Sequence, residues 1–389
     1  MLKEEFVLSL KLLIASHACA LPQNQKIFAI AASKRDWDVT MVLPQQWRNE
    51  YGDLMPADLY PEFDAELVTA PVFKNGSVPL HGYWIIASKL LRKIEPDVIY
   101  SHNEPYAVST IQWCRAAAKT GNIPFGYFSC QNLVKRYPLP FRTAEAWVYR
   151  QSSFAFPITT AVDQVHRTKG YQNASTILPL GFDAAQYFTT QDVRSRHAEA
   201  DGVTTFAFVG RVVEEKGLVT LAAALGKIRE LPWRLIMIGS GPYEPEVKAA
   251  LSKHGVADRV QWRGFVPHAE VATFYESVDC LLLPSESRPN WTEQFGRVLV
   301  ESLACGTPLI GSDSGEIPNI IRTTGGGLVF READADDLAV QLRRMIQDPD
   351  RRAEMAATGH RYVHEHYALD RLADRFADAI EAAACVRSS

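Results

Sequence analysis

No apolar run in this sequence approaches the ~18 residues that a membrane-spanning helix needs, and the N-terminal stretch Phe6–Ile14 is broken by Ser9 and Lys11. That stretch is expected to be a first core strand rather than a signal peptide. The six cysteines (Cys19, Cys114, Cys130, Cys280, Cys305, Cys385) include no Cys-x-x-Cys pair and no histidine at zinc-ligand spacing. Reduced thiols and a cytoplasmic location are therefore expected, with the inner face of the cell membrane as the alternative. A large excess of either charge is also missing: the formal net charge is −4, which argues against general nucleic-acid affinity. Glycine and proline are scattered, so there is no low-complexity linker. The turn after Ile14 contains no glycine at all, which speaks against the Gly-x-Gly-x-x-Gly fingerprint of a dinucleotide-dependent oxidoreductase.

What is present is a chain of 389 residues, 47% of them apolar and 22% charged. That is ordinary composition and enough length for two domains. Short apolar runs alternate with amphipathic stretches. In the first half they read as strands at Phe6–Ile14, Val39–Leu43, Val98–Tyr100, Phe125–Phe128 and Thr176–Leu180, with helices at Trp84–Leu91 and Ala107–Ala118. After a polar stretch to about Gly202 the pattern restarts, with strands at Phe206–Gly210, Arg234–Ile238, Val260–Trp262, Cys280–Leu283 and Pro308–Ser312. Such alternation makes parallel sheets covered on both faces. The expected class is α/β, with two doubly wound Rossmann-like domains facing each other across a cleft. Two further helices, Arg351–Tyr367 and Leu369–Ala384, have no strand to feed.

Ligands of doubly wound sheets bind outside the carboxyl ends of the strands. Gly210–Gly217 lies at such a place, and it carries Arg211 and Lys216 where a helix is about to begin. Backbone N–H groups and two cations at a helix start suit a diphosphate. A second constellation, Glu293–Glu301, follows the strand Cys280–Leu283. Read as one continuous helix, it places the two carboxylates ~12 Å apart along the axis, too far to share a proton or a metal. It suits two anchors on a long ligand, with the N–H groups of Gln294, Phe295 and Gly296 between them.

These segments, with the Ala304-Cys305-Gly306-Thr307-Pro308 run that follows, closely resemble the nucleotide-sugar domain of the family 4 glycosyltransferases. Those enzymes have the GT-B fold and retain anomeric configuration. The resemblance covers nearly the whole second half and, more loosely, the first. It implies a hexosyl transfer from a UDP- or GDP-linked sugar to a polysaccharide, glycolipid or lipid-linked oligosaccharide acceptor. It also implies an N-terminal acceptor-side domain over residues 1–188, with a helix over 368–389 returning to it, and a C-terminal donor domain over 189–367. Arg211 and Lys216, with Gly210, match the diphosphate-binding turn, Glu301 the ribose ligand, and Glu293 the residue beside the donor sugar. Gly239 and Gly241 match a turn near the nucleotide, and Gly264, Phe265 and Val266 the loop that receives the base. His102, after the strand Val98–Tyr100, matches a histidine at the reacting centre. Arg211, Lys216, Glu293 and His102 are thus the catalytic candidates.

One departure stands out. Where the family often has a glycine pair, this chain has Ser16–Lys26 without glycine, so its approach to phosphate is open, with Asn24, Gln25 or Lys26 as substitutes; His17 reads equally as an acceptor contact and as a packed loop histidine. No metal is expected. Asp36-Trp37-Asp38, Asp334-Ala335-Asp336 and Asp348-Pro349-Asp350 read as structural, the last two as helix starts. Lys135, Arg136, Arg142 and Arg150 interleave with Tyr137, Phe141, Trp147 and Tyr149, which suits a membrane surface and equally a helix covering its own core. The rival functions are an epimerase-hydrolase of the same architecture and a non-catalytic sugar-nucleotide-binding subunit.

Overall fold

The computed structural model describes residues 9–49, 52–189, 192–193 and 202–388. It divides into one unit of Met1–Pro179 with Leu369–Ser389 and a second of Leu180–Ala368. In the first unit seven parallel strands stand in the order Ala174–Ser175, Phe154–Pro157, Phe125–Ser129, Val98–Ser101, Lys11–Ala15, Asp38–Pro44, Glu66–Ala70. In the second unit six parallel strands run Val260–Trp262, Trp233–Ile238, Thr204–Val209, Cys280–Leu283, Leu309–Ser312, Gly327–Phe330.

Numbered within each unit, both sheets follow the order 3-2-1-4-5-6, with one extra strand at the edge of the first. The order reverses between strands 1 and 4, and that switch point is where the ends of two strands leave room for a ligand. In the first unit the switch lies between Lys11–Ala15 and Val98–Ser101, and in the second between Thr204–Val209 and Cys280–Leu283. All four residues of Cys280–Leu283 are buried, as a strand covered by helices on both faces must be.

Several expectations shift. Phe6–Leu8 lie outside the described residues, and the first strand is Lys11–Ala15. Thr176–Leu180 is not a strand. The short strand is Ala174–Ser175, and the chain leaves the ladder soon after Leu178 donates to the carbonyl of Pro157 (3.0 Å), because Pro179 has no N–H to give. Trp84 precedes its helix, which spans Ala87–Ile94.

The final helix, Leu369–Ser388, belongs to the first unit. Phe376 packs against Phe28, Tyr100 and Phe156 at 5.1–5.4 Å, while Lys34 pairs with Asp370 and Asp374, and Arg35 with Asp378 and Glu381. The buried rings carry the attachment; half-exposed ion pairs add at most ~1 kcal/mol each. Asp334 and Asp348 do cap helices, accepting from the N–H groups of Asp336 and Asp337 and of Arg351. Asp36 instead ends one, as a left-handed residue with φ 54°.

Candidate functional site

In the second unit the segment after Thr204–Val209 continues the sheet pairing for two more residues. Gly210 N donates to Ile238 O and Val212 N to Ser240 O, both at 3.0 Å. A Cβ on Gly239 would lie 1.9 Å from Gly210 O, and one on Gly241 2.2 Å from Val212 O. The expected close approach at this Gly-x-Gly turn is therefore made by the protein's own 210–212 backbone. Glu214–Lys216 then forms a 3-10 turn, and Gly217, left-handed at φ 63°, starts the helix Leu218–Gly226.

The second loop crosses directly over this turn. Glu286 N donates to Glu215 O at 2.8 Å, and the Gly217 α-carbon faces Pro284 O. As a result the Lys216 ammonium sits 2.6 Å from Glu293 Oε2, with the Ser285 hydroxyl donating to the same oxygen at 2.8 Å and the Trp291 ring centroid 5.3 Å from the Lys216 Nζ. Glu293 is 8% exposed, so this pair is screened little by water. Arg211 is exposed on the same loop. From below, Glu316 N donates to Glu293 O at 3.1 Å, and burial raises the Glu316 carboxyl.

Glu293 does not lie on the helix that carries Glu301. The chain turns at Gly296, with φ 77°, and the helix spans only Arg297–Ala304. The axial spacing expected for a continuous helix therefore does not apply, since Glu293 belongs to the loop. Phe295 turns its ring inward towards Tyr367, Gln294 is exposed, and the Gly296 α-carbon packs on Leu283 and Leu299. Glu301, 4% exposed, takes a hydrogen bond from the Tyr275 hydroxyl at 3.5 Å and faces Arg297 at 4.0 Å. Burial outweighs both and pushes its carboxyl up to about 7. Gly264 O accepts from Gly239 N at 2.7 Å, Val266 is half-buried, and Phe265 is 77% exposed.

Because the folded state holds the Glu301 proton more tightly than the unfolded chain, this group costs stability as pH rises from the ordinary carboxylate range through 7. Glu301→Gln should therefore raise the Tm at about pH 8 and leave it nearly unchanged at about pH 4. An equal shift at both values in a thermal melt would mean that burial does not perturb this carboxyl.

In the first unit His102 N donates to Ala15 O at 2.9 Å, which fixes the residue at the switch point. Its Nδ1 shares a hydrogen bond with the Tyr100 hydroxyl at 2.8 Å, and its ring lies 4.2 Å from Phe128 and 5.5 Å from Phe28. Enclosure by these rings lowers its pKa to about 4, so the imidazole is neutral at physiological pH. The glycine-free loop solves its geometry without positive φ: two 3-10 turns, Ala18–Ala20 and Pro22–Gln25, run straight into the helix Lys26–Arg35. Gln25 donates to Cys19 O and Asp58 O, and Asn24 to Ala18 O, so both amides hold the loop itself. Lys26 lies over the Tyr60 ring. His17 pairs with Asn103 and is wedged between Trp47 and His81, at 4.6 and 4.8 Å; burial, then His81, lowers its pKa to about 3. Glu104, next to Asn103, was not foreseen. It accepts from the Ser129 hydroxyl and Cys130 N, both at 2.7 Å, and burial pushes it up to about 7. Nor were Ser285, Trp291 and Glu316, whose only signal is their position at strand ends or beside Glu293.

Residues 189–362 match the family model of the glycosyl transferases group 1. The second unit is a group 1 glycosyl transferase domain. Solved structures extend the likeness to the fold of the whole chain. Sucrose-phosphate synthase from Thermosynechococcus elongatus superimposes with a TM-score of 0.73 at 17% identity, covering 98% of this chain and 100% of that one. HepE from Anabaena, solved in complex with UDP, gives 0.73 at 18% identity over 96% and 100%. The fold is GT-B. In sequence, the Mycobacterium tuberculosis GDP-mannose-dependent alpha-(1-6)-phosphatidylinositol monomannoside mannosyltransferase is 29% identical over 209 residues, which is 52% of this chain and 54% of that protein. The chain thus spans about half the length of the curated relatives it matches. No helix among the described residues is long and apolar enough to cross a membrane.

Proposed function

We propose that this group 1 glycosyl transferase moves a hexosyl group from a nucleoside diphosphate sugar to an acceptor hydroxyl with retention of configuration. The observation that carries the proposal is the Lys216–Glu293 pair at 2.6 Å, made by two loops that meet at the topological switch point. One partner is a cation suited to a diphosphate and the other a carboxylate suited to sugar hydroxyls. The arriving diphosphate takes over the Lys216 ammonium, and Glu293 turns its freed oxygen to the sugar while Ser285 keeps hold of it. The bond from the anomeric carbon to the diphosphate oxygen breaks, a bond to the acceptor oxygen forms on the same face, and the acceptor proton passes to the departing diphosphate. Arg211 and Lys216 stabilise the charge that develops there. Glu301 takes the ribose hydroxyls. These two cations supply the charge compensation for which other architectures use a metal.

The acceptor is a hydroxyl of a polysaccharide, a glycolipid or a lipid-linked oligosaccharide. The name of the mycobacterial relative specifies GDP-mannose and the Anabaena structure holds UDP, so GDP, UDP and their sugars are the first ligands to test. A nucleoside diphosphate should raise the Tm, and above its Kd the rise should grow with the logarithm of its concentration; the same shift should be lost in Glu301→Ala. An undiminished shift in that variant would rule out the ribose role. Sugar released as fast without acceptor as with it would mark an epimerase-hydrolase instead.

A further inference from the structure

A lysine is a strongly hydrated point charge on a flexible stem, so one that must meet a diphosphate has to be aimed. In the free protein Glu293 aims Lys216, but the proposed reaction turns that carboxylate to the sugar once the donor arrives. Holding the ammonium through that exchange needs a second partner that phosphate does not displace. Residues 284–294 contain one large apolar side chain, Trp291, and its ring is half-buried in this otherwise polar loop. The Lys216 Nζ lies over it, 5.3 Å from the ring centroid, inside the ~6 Å at which the electron-rich face of an indole attracts a cation. The Lys216 side chain is only 14% exposed, and this attraction strengthens as the cation loses water.

The segment that carries the ring is fastened on both sides. Arg288 N donates to Trp291 O at 2.7 Å and Trp291 N to Arg288 O at 3.1 Å, which closes a tight hairpin. From that hairpin the Arg288 guanidinium reaches back to the 3-10 turn of Lys216, donating to Glu214 O at 3.4 Å and to Glu286 Oε2 at 3.2 Å. The other Glu286 oxygen accepts from the Thr220 hydroxyl at 2.6 Å. On the far side Ser287 N and Oγ both donate to Glu332 Oε2, at 2.9 and 2.8 Å. The contacts that set the ring in place therefore run to the same turn that presents the ammonium.

We propose that Trp291 is the positioning residue for Lys216, its indole face holding the ammonium at the diphosphate site both before and after Glu293 lets go. The ring occupies one side of the ammonium and leaves other N–H groups for phosphate oxygens, so ring and phosphate hold it together. Lys216 then needs no reorientation as negative charge develops on the leaving group, which is the condition for strong electrostatic stabilisation. The role rests on the donor reading above, since it is the diphosphate that Lys216 is aimed at.

A free nucleoside diphosphate bears the terminal charge that a sugar-linked donor lacks, so calorimetry of the full chain with UDP and with GDP reads Lys216 directly. Trp291→Leu is expected to weaken the binding about 3- to 30-fold, and Trp291→Phe, which keeps an aromatic face, by less than about threefold. Leu and Phe are close in size and both smaller than Trp, so the difference between them isolates the face from the packing. In a Lys216→Met background Trp291→Leu should cost nothing further, because the contact it removes is already gone. Trp291→Met replaces Trp291→Leu should the latter fail to fold. Wild-type affinity in the aliphatic variant, equal losses in the aliphatic and Phe variants, or an undiminished loss in the Lys216→Met background overturns the positioning role while the donor reading stands. A wild-type protein that binds neither nucleotide defeats the donor reading, and the positioning role falls with it.

Discussion

Lys216→Ala should lower kcat/KM for glycosyl transfer by about 100- to 1,000-fold, the usual cost of removing one preorganised donor to a developing negative charge. Most of the loss is expected in kcat, because the leaving diphosphate carries more charge in the transition state than in the bound donor. A second effect arises in the free protein. Glu293, nearly buried, would keep Ser285 as a partner but lose the cation 2.6 Å away, so the Tm should fall as well. Lys216→Met separates the two effects from packing, since it keeps most of the side-chain volume over the Trp291 ring. Turnover near the wild-type value in a well-folded Lys216→Met would exclude the leaving-group role.

The Lys216–Glu293 pair also shows where sequence reasoning stops. Both residue types could be read as ligand-binding groups, because each follows a strand that is apolar enough to be recognised. Thr204–Val209 and Cys280–Leu283 are buried runs, and such strands read as continuous apolar segments. Strands at Glu66–Ala70 and Phe154–Pro157 escaped that rule. The first is an edge strand with exposed positions, and the second ends in proline and has no β-branched residue.

The pairing itself depends on a crossing of loops that are distant in sequence, and no local pattern encodes it. Gly296 was the one available hint. A glycine inside a supposed helix favours a break, and here it is a left-handed residue that detaches Glu293 from the helix of Glu301. The first unit is similar. His102 was legible as a strand-end histidine, whereas the enclosure by Phe28, Tyr100 and Phe128 that keeps it neutral joins three separate segments.

Gly217→Ala should be strongly damaging although it leaves every ligand-binding side chain unchanged. Gly217 and Gly264 share the same left-handed φ of 63°, so an alanine at either pays about 1–2 kcal/mol for that conformation. Their surroundings differ completely. At Gly264 an added Cβ meets nothing within 4 Å, whereas at Gly217 it would lie 2.0 Å from Pro284 O and 3.1 Å from the Glu286 side chain. A carbonyl of the backbone cannot rotate away as a side-chain end can, so the 210–217 turn and the 284–286 segment must separate. That separation removes the Glu286 N to Glu215 O bond and draws Lys216 away from Glu293. In urea melts Gly264→Ala should lose about 1–2 kcal/mol, and Gly217→Ala roughly 1–3 kcal/mol more from overpacking. Gly217→Ala should also lose the thermal shift with nucleoside diphosphates. Equal losses in the two variants would mean that the loops do not press on each other at Gly217, and the ion pair would then need another explanation for its short distance.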